Sequence, residues 1–215
     1  AAMLDANFDR GFGGIVCGCD EAGRGPLAGP VVAAACILPE GYVPEGLDDS
    51  KKLSEKKRER LYEEITSSGA LWCAAEASPE EIDRINILEA SLLAMRRAIA
   101  GLPVTPDFLL IDGNIFRGFD IPGKAIVGGD GKSPSIAAAS IIAKVTRDRM
   151  CAAMHEAYPM YGFDRHKGYP TREHKLAVFE YGPSPIYRRS FLSFLERDHE
   201  KLSAMLEEKR RGTEN

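Results

Sequence analysis

The sequence predicts an α/β fold in which a mixed sheet is flanked by helices and followed by a small helical C-terminal region. Three observations carry that expectation. Short runs rich in valine and small apolar residues alternate with segments of helical periodicity over most of the chain. Serine and threonine stand where helices should begin, with glycine or proline where they should end. Beyond about residue 171 no strand-like run remains.

The elements follow in order. Residues 14–20 form a short apolar run that ends in acid and then glycine, and residues 30–38 read as a second strand. Residues 39–50 carry glycine, proline and aspartate and read as turns. Ser54 can cap a helix to about Thr66, with Leu61, Tyr62 and Ile65 on one face. Residues 70–77 are a third strand. Ser78-Pro79-Glu80-Glu81 combines a serine cap, a first-turn proline and a glutamate three residues on. The helix it opens, or a second just behind it, places Leu88, Leu92, Met95 and Ile99 at helical spacing and stops by Gly101. Residues 107–112 and 124–127 are strands four and five.

Residues 135–158 hold no glycine or proline and are rich in alanine and isoleucine, which predicts a long buried helix ended by Pro159. Thr171 caps a helix that Gly182 ends. A final amphipathic helix places Leu192, Leu195, Leu202 and Met205 inward, and the tail from Gly212 onward is expected to fray. The chain therefore divides into a core over residues 11–170 and a helical region over 171–215.

Composition narrows the partners only a little. The 215 residues suit one well-buried core, and the longest apolar run, residues 31–38, is far below the ~20 residues that span a bilayer. No basic segment leading into an apolar stretch opens the chain, so secretion is not expected. Five cysteines form no C-x-x-C pair, which fits a reducing cytoplasm; Cys17 and Cys19 should share one face of a strand. The formal net charge of −4 lacks the basic excess usual in nucleic-acid binders. Four acids, Asp20, Glu21, Asp112 and Asp130, account for −4 by themselves, and two divalent cations would offset them.

The placement of those acids is the chemical signal. Asp20-Glu21, Asp112 and Asp130 each follow a strand-like run with glycine close by, where ligands gather at strand ends in α/β sheets. Neighbours on a strand face opposite ways, so Asp20 and Glu21 can share a site only if the chain bends, which Gly23 and Gly25 permit. Asp112-Gly113 or Asp130-Gly131, taken alone, reads first as a structural turn. Gathered together, the acids suit hard divalent cations such as Mg²⁺, which accept carboxylate and phosphate oxygens, and two ions ~4 Å apart serve in-line displacement at phosphorus.

The segment Gly18-Cys-Asp-Glu-Ala-Gly-Arg-Gly-Pro-Leu-Ala-Gly-Pro-Val-Val-Ala-Ala-Ala35 resembles the opening motif of the ribonuclease HII family. Further blocks are similar to that family in the same order: Asp49-Ser-Lys-Lys-Leu-Ser54, Ile85-Asn-Ile-Leu88, Leu110-Ile-Asp-Gly113, Gly129-Asp-Gly-Lys-Ser133 with residues 136–148, and His166-Lys-Gly-Tyr-Pro-Thr171. The resemblance implies an RNase H-like core and a metal-dependent endonuclease that cuts the RNA strand of RNA–DNA hybrids. It also implies cleavage 5′ of single ribonucleotides in duplex DNA, the opening step of ribonucleotide excision repair, leaving 3′-hydroxyl and 5′-phosphate ends.

By the same resemblance Asp20, Glu21, Asp112 and Asp130 are the catalytic metal ligands, for Mg²⁺ or Mn²⁺. Gly23, Arg24 and Gly25 read the ribonucleotide, Tyr169 senses the junction, and Lys51 and Ser133 contact the backbone. A cytoplasmic monomer is expected. Tyr187 departs from the pattern, since the family usually has histidine there.

Competing readings are a resolvase- or integrase-like nuclease, a non-catalytic hybrid-binding module, and a phosphate-binding α/β protein. Gly23-Arg24-Gly25 argues against the first, the complete set of acids against the second, and the absence of a spaced P-loop glycine before Lys132-Ser133 against the third. Histidines lack the spacing of a zinc site.

Overall fold

A computed structural model describes residues 4–213. Five strands, β1 (Val16–Ala22), β2 (Val31–Ile37), β3 (Leu71–Ala77), β4 (Phe108–Asp112) and β5 (Gly123–Ile126), form one sheet in the order β3-β2-β1-β4-β5. β1, β2 and β3 pair antiparallel, whereas β1–β4 and β4–β5 are parallel. The sheet is therefore mixed, as expected.

Nine helices surround it among the described residues: α1 (Ala6–Arg10), α2 (Glu55–Ser67), α3 (Pro79–Ile85), α4 (Ile87–Ala100), α5 (Pro134–Ala157), α6 (Phe163–His166), α7 (Arg172–Tyr181), α8 (Phe194–Arg197) and α9 (His199–Thr213). Ser54, Ser78 and Thr171 cap α2, α3 and α7 with their side chains, and Ser78 and Glu81 complete a capping box. Asn86 separates α3 from α4 at φ 72° and caps the second with its own side chain, so the segment is two helices.

Strand alternation divides the core into layers. Cys17, Cys19, Ala33, Ala35, Leu109 and Ile111 face α4, where Ala90, Ala94 and Met95 meet them. On the other face Ala34 and Cys36 pack with Leu61 and Ile65 of α2 and Ala138, Ile141 and Ile142 of α5. Close contact with α5 requires glycine at position 18: a Cβ there would lie 2.2 Å from the Ser135 carbonyl carbon. Cys17 and Cys19 do share a face; they are buried free thiols with sulfurs 3.8 Å apart.

A further apolar cluster joins α5 to the C-terminal helices, through Cys151, Met154, Phe163, Val178, Tyr187, Phe194, Leu202 and Met205. Here the structure departs from one continuous final helix. Leu192 is buried ahead of α8, and the chain breaks at Asp198, whose carbonyl accepts the first hydrogen bond of α9 from Leu202 while its N–H closes α8 on Phe194. Gly212 and Thr213 are helical, and the rest of the tail lies outside the described residues. α1, capped by Asp5, was not anticipated.

Candidate active site

β1 and β4 run parallel, with Gly18 opposite Leu110 and Cys19 opposite Ile111. One step on, Asp20 and Asp112 end this shared register and point to the α5 face. Asp130 arrives from a single turn, Gly129–Gly131, between β5 and α5. Asp20, Asp112 and Asp130 each offer a carboxylate oxygen within 4.8 Å of the others. The Asp130 N–H points at Asp112 Oδ1, 3.4 Å away.

Glu21 is not part of that triad, because the chain does not bend at Asp20-Glu21. β1 continues through both to Ala22, so their side chains leave opposite faces. Glu21 instead lines the rim of the same cleft; its Oε1 lies 3.6 Å from Arg24 Nη1, and its Oε2 is buried without a hydrogen-bond partner.

The cleft, about 240 Å³, is lined by Asp20, Glu21, Asp112 and Asp130, with Gly23, Arg24, Gly25, Lys51 and Tyr169 around the mouth. Tyr169 is 45% exposed, its ring so near the loop that a Cβ on Gly25 would lie 3.2 Å from Cε1. Ser133 is not brought to the cleft. Its side chain is fully buried, accepts the Ile136 N–H as the cap of α5, and donates to Asp9. Three larger hollows, of 530, 570 and 360 Å³, lie elsewhere and gather no comparable acid group among the described residues.

Other residues at the cleft were not singled out from sequence. Ser140 and Lys144 of α5 and Arg58 of α2 line it, and Asp148 holds the two cations, 3.0 Å from Lys144 Nζ and 3.7 Å from Arg58 Nη2. Asp49 stands beside Asp130. The available signal was Lys144, an isolated cation in an otherwise apolar stretch of α5.

Electrostatically the clustered carboxylates oppose one another. Burial, then Glu21 and Asp112, raise the Asp20 carboxyl well above its ordinary value. Burial and the nearby Asp112 push Asp130 up to about 6. Glu21 is also raised by burial, opposed by Arg24. Buried oxygens with no matching cation are costly, and an all-oxygen set of this kind suits a hard divalent ion. The residues fit such a metal.

A mixed five-stranded sheet with carboxylates where its parallel strands β1 and β4 stop pairing defines an RNase H-like nuclease. Comparison with known proteins narrows this class. The family model for ribonuclease HII matches residues 17–194. A ribonuclease HII of Burkholderia thailandensis is 59% identical over 191 residues, covering 89% of each chain. One from Dechloromonas aromatica is 58% identical over 178 residues, 83% of this chain and 91% of its own. The crystal structure of ribonuclease H2 from Pyrococcus horikoshii superposes with a TM-score of 0.70 at 29% identity, covering 87% of this chain and 98% of that one. The chain belongs to the ribonuclease HII family. It is thus a ribonuclease H, an endonuclease that hydrolyses the RNA strand of RNA–DNA hybrids, in a family dependent on divalent metal. No described helix is long and apolar enough to cross a membrane.

Proposed function

We propose that this ribonuclease also cuts 5′ of single ribonucleotides embedded in duplex DNA, using two divalent ions, Mg²⁺ or Mn²⁺, and leaves 3′-hydroxyl and 5′-phosphate ends. The observation that carries the reading is the convergence of Asp20, Asp112 and Asp130 within 4.8 Å beneath Gly23-Arg24-Gly25 and Tyr169.

Asp20, Asp112 and Asp130 would hold the metal, with Glu21 at the rim. The bound ions supply Lewis-acid stabilisation of charge at the scissile phosphate. The chain's own groups orient the substrate. Arg24, half-exposed beside Glu21, can clamp a phosphate with two parallel hydrogen bonds. The exposed Lys51 adds a point charge at the mouth. The main chain around Gly25, free of a Cβ, can approach a ribose closely and hydrogen-bond its 2′-hydroxyl, the group that separates RNA from DNA. Tyr169, beside Gly25, packs on the adjoining deoxyribose. Ser133 acts from behind, fixing the start of α5. Water attacks phosphorus in line and expels the 3′-oxygen, which gives the stated ends.

Such an enzyme serves ribonucleotide removal from DNA in the cytoplasm, as a monomer. The decisive experiment is cleavage of a DNA duplex bearing one ribonucleotide, with and without Mg²⁺. A single cut 5′ of the ribonucleotide, only with metal, is expected; cutting elsewhere or in EDTA overturns the reading.

A further inference from the structure

The connection between β1 and β2 carries the Gly23-Arg24-Gly25 loop, and two buried guanidiniums hold it from below. Arg188 donates from Nε to the Gly29 carbonyl at 2.8 Å, from Nη1 to Arg24 at 3.0 Å and from Nη2 to Gly23 at 2.6 Å. Arg147 donates to the carbonyls of Ala28 and Pro30 at 2.8 and 3.2 Å. Both are among the largest fully buried side chains. All their described hydrogen-bond partners are main-chain carbonyls, so neither charge is matched by a bonded carboxylate. Gly29 must lack a side chain for this to fit, since a Cβ there would lie 2.2 Å from Arg147 Nη1.

Arg188 is itself fixed on both sides. Its N–H donates to Leu27, and its ring neighbour is Phe191, 5.2 Å from the guanidinium carbon to the centroid. The next residues, Arg189 and Ser190, donate their N–H groups to the Asp83 carboxylate of α3 at 2.9 Å. A guanidinium is a planar fork that can reach several carbonyls at once, whereas lysine is a point charge. Burying such a cation for carbonyl contacts alone is expensive, and a glycine-flanked loop is otherwise free to move. The two facts meet at the carbonyls of Gly23 and Arg24.

We propose that Arg188 is a positioning residue for ribonucleotide recognition: it presets the main chain of Gly23-Arg24-Gly25 so that the 2′-hydroxyl meets one conformation of the loop. The inference rests on the reading of that loop given under Proposed function. Arg188 touches no cleft-lining acid, so metal binding should be independent of it.

The test uses the full chain as wild type, Arg188→Lys and Arg188→Gln. Functional sites are counted by calorimetric titration with Mn²⁺. Affinity is then measured, in Ca²⁺ to prevent cutting, for a duplex with one ribonucleotide and for the all-DNA duplex of the same sequence. Per Mn²⁺-binding site, Arg188→Gln should lose tenfold or more of the preference for the ribonucleotide duplex, and Arg188→Lys somewhat less. Mn²⁺ affinity and all-DNA affinity should stay within twofold. An unchanged preference in both variants overturns the proposal, as does equal loss of Mn²⁺ binding and preference, or failure of both variants to fold. If only the glutamine variant fails to fold, the lysine variant decides. A wild type that does not cut the ribonucleotide duplex in Mg²⁺ overturns the function reading and this inference with it; a wild type that does, with variants of unchanged preference, overturns this inference alone.

Discussion

The imidazoles of His166 and His174 stack with centroids 3.9 Å apart and planes 11° from parallel, beneath the loop that carries Tyr169. Each has a defined neutral pattern of bonds. His166 Nδ1 accepts the Gly168 N–H, leaving Nε2–H for the Tyr161 carbonyl. His174 Nδ1–H donates to the Tyr169 carbonyl, and Nε2 accepts the Tyr187 hydroxyl. Tyr187 thus satisfies a buried histidine.

This pair predicts acid sensitivity of the fold. Burial, then the facing His166, depress His174 to about 4. A depressed folded value means that the stabilisation is complete above the unfolded value near 6.5 and is lost as pH falls toward 4. The loss is up to about 3 kcal/mol for His174. Urea unfolding of wild type and His174→Asn at pH 7 and pH 4.5 isolates it: the variant should lose less stability between the two. Parallel losses would assign the acid sensitivity elsewhere.

The acid cluster has the opposite sign. Asp130 is raised to about 6 in the folded state, so its contribution is greatest below about 3.8 and is lost as pH rises through about 6; Asp20, raised by burial, acts in the same direction. Without metal, Asp130→Asn should stabilise the protein at pH 8 by on the order of 1 kcal/mol, after discounting for solvent, and should bring no gain at pH 4. Saturating Mg²⁺ should reverse the ranking, because the wild type then gains binding energy. Thermal melts in EDTA and in Mg²⁺ read both.

Asp112→Asn should fold normally and lose cleavage by about a thousandfold, equivalent to roughly 4 kcal/mol of transition-state stabilisation. Single-turnover cleavage of a hybrid measures it; activity within tenfold of wild type would remove Asp112 from the metal set.

The ends of the products distinguish attack by water from attack by the neighbouring 2′-hydroxyl. Expected fragments carry 3′-hydroxyl and 5′-phosphate, detected by mass spectrometry. A 2′,3′-cyclic phosphate would demand a different role for the carboxylates.

Tyr169→Ala should reduce selectivity for the RNA–DNA junction by about ten- to hundredfold, by analogy with aromatic stacking on bases worth about 1–3 kcal/mol. The readout is kcat/KM on a single-ribonucleotide duplex relative to a continuous hybrid. An unchanged ratio leaves Tyr169 as a packed turn residue.

Sequence signals reported local physics well and tertiary geometry less so. The caps at Ser54, Ser78 and Thr171 were legible because one side chain satisfies nearby N–H groups. The break at Asp198 was not, because Leu192 and Leu202 keep an apolar pattern across it. Asp20 and Asp112 were legible as acids at strand ends, but their adjacency depends on parallel pairing between segments some ninety residues apart. Glu21's separation from the triad follows from a strand that stays extended where glycines permitted a turn. The Ser133 hydroxyl is bonded within the fold, to Asp9 and to the Ile136 N–H, an arrangement that depends on a partner far away in the chain. Arg188 follows Tyr187 in the chain with no local signal of its role, and only the tertiary fold brings it under Gly23.

Gly18 lies two residues from Asp20, and its bare α-carbon lets the first turn of α5 rest against β1. Ser140 and Lys144 ride on that helix, so the spacing of the cleft's two walls is set by a position that touches neither substrate nor ion. Enlarging that position by a single methyl would act as a wedge: damage to activity would appear as a change in fit, with every chemical group still in place.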